Sequence, residues 1–250
     1  MVKTALITGG SKRIGAAISR DLAAHGYSLA VQYAFSTETA ELLAEELRAH
    51  GVKIELIHAE LTGTGGAESL FREATAKLGA IDLLVNNASI FENDTPADAD
   101  TASWDKHFDI HVRAPSMLVA QMAAQPELES GLVVNMIDQR VLRLNPSFYS
   151  YTLSKTALWT ATRTLAQTYA PKLRVNAIGP GPTLQNARQS ENDFQRQIDG
   201  LLLKRGPELD EFGRTIRFLY ETKSITGQML ALDGGQHLAW ETPDIAGIPE

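Results

Sequence analysis

Short apolar runs bounded by turn residues alternate with stretches of helical spacing along the chain. That rhythm predicts strands over 4–8, 28–34, 53–58, 81–86, 132–137 and 173–178, and helices over 14–25, 37–50, 67–78, 104–125 and 149–169. An irregular Pro/Gly turn follows at 179–182, then a polar helical stretch and a last short strand at 229–232, with the segment 184–199 expected to be a lid. Runs such as Leu83-Leu84-Val85 and Leu132-Val133-Val134 are apolar at consecutive positions, so both faces of these strands are expected to be covered. Strands alternating with helices predict an α/β fold, a doubly wound parallel sheet in a three-layer α/β/α sandwich. Its ligand crevice is expected beyond the C-terminal strand ends.

The 250 residues, 44% hydrophobic and 21% charged, suit one domain over 1–250 and exclude a disordered or collagen-like chain. Acidic residues outnumber basic ones for a net charge of -7, so no broad basic surface is available to grip phosphate backbones. A small molecule is the expected partner, and nucleic acid is not. With no cysteine, disulfides and thiolate metal sites are excluded, and no metal is expected. Met1-Val2-Lys3-Thr4-Ala5 lacks the pattern of a secretory signal, and no apolar run approaches the roughly 20 residues of a membrane span. A cytoplasmic protein away from the membrane is expected.

Thr8-Gly9-Gly10-Ser11-Lys12-Arg13-Ile14-Gly15 lies between the first predicted strand and helix. Small residues there let backbone N–H groups and a helix N-terminus approach a pyrophosphate, which makes Gly9, Ser11, Lys12, Arg13, Ile14 and Gly15 candidate cofactor residues. The loop resembles the TGxxxGxG fingerprint of the short-chain dehydrogenases/reductases, with Arg13 in place of the middle glycine. That resemblance implies a Rossmann-type domain and a nicotinamide cofactor. An acid at the end of the second strand would select NAD by holding the ribose hydroxyls, but Val31–Ser36 contains none. Lys12, Arg13 and Ser36 would instead meet a 2′-phosphate, favouring NADPH over NADH. Against this, Glu38 is close by, and Phe35 stands where a pteridine reductase often carries an arginine.

Further landmarks of the resemblance run in order to residue 235. Glu60-Leu61 matches the family's adenine-contacting pair, and Asn86-Asn87-Ala88 its NNA segment. Gly179-Pro180-Gly181 with Thr183 matches the turn bordering the nicotinamide, and Asp233-Gly234-Gly235 the C-terminal turn.

Tyr151 and Lys155 stand four residues apart, on one face of the predicted helix. A phenol with pKa about 10 is a poor acid near neutrality, and a neighbouring ammonium is expected to lower that value. By resemblance Tyr151 is the proton donor and Lys155 also holds the nicotinamide ribose. Thirteen residues before Tyr151 the family carries a serine, and this chain has Asp138. An ionised carboxylate would repel an oxygen gathering negative charge, whereas a carboxylic acid can supply the proton that nitrogen needs when a C=N bond is reduced. Asp138, Arg13 and Ser89-Ile90-Phe91 together resemble the pteridine reductase and dihydromonapterin reductase branch. There, residues matching Arg13, Ser89 and Phe91 contact cofactor or pterin, Phe91 by stacking on the ring.

His111 replaces the family's water-anchoring asparagine and is a candidate for proton relay. The favoured reading is NADPH-dependent reduction of a pterin-like C=N bond. A generic ketone or alcohol enzyme and a non-catalytic cofactor-binding subunit remain open. Leu153, Ala157, Leu158, Ala161 and Leu165 form an apolar helical stripe, from which a homotetramer or homodimer is expected.

Overall fold

In the computed structural model, which describes residues 3–185, 188–242 and 244–247, the apolar runs form one seven-stranded parallel sheet. Its strands are β1 (Lys3–Ile7), β2 (Tyr27–Tyr33), β3 (Ile54–His58), β4 (Leu83–Asn86), β5 (Gly131–Met136), β6 (Leu173–Pro180) and β7 (Met229–Leu232). Their spatial order is β3-β2-β1-β4-β5-β6-β7, so the chain reverses direction across the sheet between β1 and β4, where such folds open a crevice.

The helices are α1 (Arg13–Ala24), α2 (Thr37–Arg48), α3 (Gly66–Leu78), α4 (Thr101–Phe108), α5 (Ala114–Ala123), α6 (Tyr149–Tyr169), α7 (Glu191–Asp199) and α8 (Leu209–Glu221). Alternate strand residues feed two cores. Ala5, Ile7, Val85 and Val134 pack with α1, α2 and α8 on one face, while Leu6, Leu84, Val133 and Val175 pack with α3, α5 and α6 on the other. This is the three-layer sandwich expected from the sequence.

Two expectations need correction. The helix expected over 104–125 is two helices, α4 and α5, joined by a π-helical turn at Asp109–Arg113. Pro115 explains the break, since it has no N–H for the His111 carbonyl and its ring would clash there in a regular helix. The single polar helical stretch expected between the turn at 179–182 and the last strand is two helices, α7 and α8, and α8 buries Phe212, Ile216 and Leu219 against the sheet. At Gly213 a β-carbon would fall 2.3 Å from Asp21 Cβ, so only glycine admits this approach to α1. Arg217 seals the contact with Nε 2.7 Å and Nη2 3.2 Å from the two Asp21 oxygens.

The sheet is tied to α6 by a buried polar ladder. Asn86 Nδ2 donates to Asn135 Oδ1 at 2.8 Å, and Asn135 Nδ2 donates to Thr162 Oγ1 at 2.9 Å. An interior network of this kind ties the sheet to the helix that carries Tyr151 and Lys155, although Asn86 Oδ1 has no partner among the described residues. Among the described residues no helix is long and apolar enough to cross a membrane.

Candidate active site

The loop after β1 is held open by its neighbours. Gly9 N donates to Gln32 Oε1 at 2.7 Å, while Asn87 Nδ2 donates to the carbonyls of Thr8 and Gly9, both at 3.0 Å. Ala88 N donates to Thr8 Oγ1 at 3.0 Å. A β-carbon on Gly15 would lie 2.1 Å from Gly9 O, so the first turn of α1 presses directly on the loop. Lys12 caps α1 without a side-chain acceptor, and no acid stands in its first turn. The helix N-terminus therefore keeps its positive end for an anion. Arg13 adopts φ 50°, the left-handed region, which explains why a glycine suits that position and why arginine there carries strain of about 1 kcal/mol.

Lys12 Nζ donates to Ser36 Oγ at the end of β2, and the two groups form a polar pair without a carboxylate between 31 and 36. Arg13 turns elsewhere, its Nη1 and Nη2 each 3.2 Å from the carbonyls of Gln185 and Leu184. Positions 186 and 187 of the expected lid lie outside the described residues. Glu60 folds back on its own turn, accepting from Leu61 N at 2.9 Å and Thr62 N at 3.1 Å. Pro180 ends β6, and at Gly181 a β-carbon would lie 2.6 Å from Asp233 Cα, so this turn is pressed against the C-terminal one. Thr183 Oγ1 donates to Gly181 O at 3.1 Å.

Asp138 and Tyr151 come together beyond the end of β5. The Tyr151 hydroxyl donates to Asp138 Oδ2 at 2.9 Å, and Asp138 Oδ1 accepts from Arg140 N at 2.8 Å. Here the expected role of Lys155 is corrected. Its Nζ donates to Met136 O at 2.8 Å and lies 5.7 Å from the Tyr151 ring centroid. Burial first, and then the Asp138 charge and hydrogen bond, push the Tyr151 hydroxyl well above its ordinary value. Burial lowers the Lys155 ammonium to about 8, against the pull of Asp138. Tyr151 is thus a strongly held phenol, and no lowering by the ammonium is seen.

His111 is buried in the π-helical turn, a place where such turns recur at functional sites. Ser154 Oγ donates to Tyr151 O at 2.7 Å and so accepts from His111 Nδ1 at 2.8 Å. The neutral ring then accepts at Nε2 from Ser89 Oγ, 2.8 Å away. Burial, with Lys155 and His107 adding repulsion, holds His111 well below 6.5, and burial likewise lowers His107. Since the unfolded chain binds these protons more readily, stability is lost as pH falls through about 6.5. Melting temperature should therefore drop between pH 7 and 5, and less steeply in His111→Asn. Equal slopes would remove His111 from the acid response.

Phe91 stacks on Phe148 at 4.1 Å and 4°, and meets the Tyr151 ring edge-on at 4.7 Å. Phe148 was not among the expected residues, although it stands three residues before Tyr151. Its φ of 58° shows backbone strain held at the entrance to α6. The expected lid also has an anchor that sequence reasoning missed, since Arg188 Nη2 donates to Phe91 O at 2.7 Å and its guanidinium lies 5.2 Å from that ring.

The family model for short chain dehydrogenases matches residues 3–196. This chain belongs to the short-chain dehydrogenase family. As an oxidoreductase of that family, it is similar in structure to FolM alternative dihydrofolate reductase 1 from Brucella suis in complex with NADP. The two are 53% identical, with a TM-score of 0.94 over 98% of this chain and 100% of that one. The corresponding protein of Brucella canis, also complexed with NADP, is 53% identical with a TM-score of 0.92 over 98% of each chain. In sequence, this short-chain dehydrogenase is 30% identical over 244 residues to the 3-oxoacyl-[acyl-carrier-protein] reductase FabG of Staphylococcus epidermidis, covering 95% of this chain and all of the relative.

Proposed function

We propose that this short-chain dehydrogenase reduces a pterin-like C=N bond with NADPH, and that Asp138 and Tyr151 supply the proton as a pair. The observation that carries the reading is the 2.9 Å hydrogen bond from the Tyr151 hydroxyl to Asp138 Oδ2, at a position where the wider family has a serine hydroxyl. The Brucella proteins bound to NADP support both substrate class and cofactor.

The residues fit the cofactor. The Gly9–Gly15 cradle and the uncapped start of α1 would take the pyrophosphate, Lys12 and Ser36 the 2′-phosphate, and Lys155 the nicotinamide ribose. Asn87, Ala88, Pro180, Gly181 and Thr183 would wall the nicotinamide end, with Glu60-Leu61 at the adenine. When bound, the reduced cofactor supplies hydride to the carbon of the C=N bond.

The nitrogen must then gain a proton. In the observed arrangement Tyr151 donates and Asp138 accepts, so the pair holds one proton. Giving that proton away would set a phenolate beside a carboxylate, which like-charge repulsion opposes. Donation is favourable when Asp138 carries a second proton: Tyr151 passes its hydrogen to the nitrogen, takes the one from Asp138, and the observed bond is restored. Phe91 and Ser89 would hold the ring, and His111 acts as a positioning residue that fixes Ser89.

Asp138→Ser tests the reading. It should cost at least a hundredfold in dihydropterin reduction, from loss of the pair's second proton, while NADPH affinity is retained. Unchanged pterin turnover would make Asp138 a bystander. Faster turnover of a ketone than of any pterin by the native protein would favour the second reading, a carbonyl reductase like the similar FabG protein. Of the stripe expected on α6, Leu158 is buried in the protein's own core, and the partly buried Leu153, Ala157, Ala161 and Leu165 are the face we assign to a second copy in a homodimer or homotetramer.

A further inference from the structure

Arg140 is left idle by the mechanism above. It lies in the 3-10 turn Gln139–Val141, two residues after Asp138, and its guanidinium carbon lies 4.9 Å from the Phe148 centroid and 5.4 Å from that of Phe91. Its charge also reaches the Tyr151 hydroxyl, which it draws downward against the larger upward effects. Both Nε and Nη1 are shielded from solvent, and neither has a hydrogen-bond partner among the described residues. Contact with aromatic rings offsets part of the cost of burying the cation, but it does not satisfy the N–H groups in the guanidinium plane. Buried donors left unmet in this way call for a partner, and these lie beside the proton-donating pair and the aromatic rings.

We infer that Arg140 determines substrate specificity by donating to an oxygen acceptor on the edge of the flat ring, so that a ring with an oxo group at that edge is bound in preference to its amino analogue. The inference rests on the pterin reading and narrows it. A guanidinium has donors and no acceptor, so an amino group at the same ring position would set N–H against N–H. A hydrogen bond to a charged group changes affinity by about ten- to hundredfold, and a preference of that size for the oxo ring is expected.

The test is calorimetric titration of the NADP-loaded protein with two stable probes, 2-amino-4-oxopteridine and 2,4-diaminopteridine. The native protein should bind the oxo ring about ten- to hundredfold more tightly. Arg140→Met keeps a stem against Phe148 and should lose affinity for the oxo ring alone, with NADP affinity unchanged. Arg140→Lys, which retains a cationic donor, should recover part of the preference. In steady-state assays the Met variant should raise KM for an oxo dihydropterin more than it lowers kcat. A native protein without preference between the probes, or a Met variant that keeps the preference, would overturn the role of Arg140 while dihydropterin turnover still upheld the pterin reading. A native protein that binds neither ring and reduces only ketones would overturn both.

Discussion

Tyr151→Phe is expected to slow pterin reduction by about 10²- to 10⁴-fold and to leave NADP affinity unchanged, the loss typical when a positioned acid is removed. Among the described residues one hydrogen bond is deleted, the 2.9 Å contact to Asp138 Oδ2. The ring contacts of Tyr151 with Phe91 at 4.7 Å and with His111 at 5.3 Å are ones a phenylalanine keeps. Asp138 keeps its second anchor, the Arg140 N–H at 2.8 Å, so the carboxylate stays in place without the phenol that relays its proton. Fold and cofactor site should therefore survive, and the defect should appear in kcat. The two kinetic constants separate this from simple misplacement: kcat should fall while KM for the dihydropterin stays near native. NADPH oxidation across dihydropterin concentrations measures both quantities. Turnover within threefold of native would remove the phenol from proton transfer.

Position along the chain made the sheet legible. Fully apolar runs such as Leu83-Leu84-Val85 permit only strands covered on both faces, and the site residues stand at the C-terminal ends of those runs. What escaped was set by contacts between distant segments. The break at Asp109–Arg113 follows from Pro115, a local signal outweighed by continuous helical spacing around it. Helix α8 carried its own signals, the Glu208 and Glu211 capping box and apolar residues at 212, 216 and 219, but the charged residues between them concealed the stripe. The need for Gly213 became visible only with Asp21 against it. Spacing placed Tyr151 beside Lys155 on one helix face, yet the hydroxyl is governed by Asp138, which β5 and the turn after it bring to 2.9 Å. Burial, which the sequence does not display at a single tyrosine, reversed the expected direction of its shift.

The same burial makes Lys155→Met the variant in which stability and activity should part most clearly. Burial lowers the Lys155 ammonium from 10.5 to about 8, with Asp138 pulling the other way. Below pH 8 the lysine is charged in both folded and unfolded chains, so the whole cost of burying the charge is present, on the order of 3 kcal/mol at neutral pH. As pH rises from about 8 towards 10.5 the folded protein releases its proton first, and native stability is regained relative to a neutral side chain. Methionine removes the charge but also the 2.8 Å bond to Met136 O, a loss of about 1 kcal/mol. The cofactor-free variant should thus be about 2 kcal/mol more stable than native at pH 7, and this advantage should shrink above pH 8. Denaturant unfolding of both proteins at pH 7 and 9.5 measures the gap, and a gap that is reversed at pH 7 or independent of pH would refute the buried-charge account. Turnover should nevertheless collapse, because the ammonium that weakens the empty fold is the group assigned to the nicotinamide ribose, a trade of stability for function that buried catalytic lysines share.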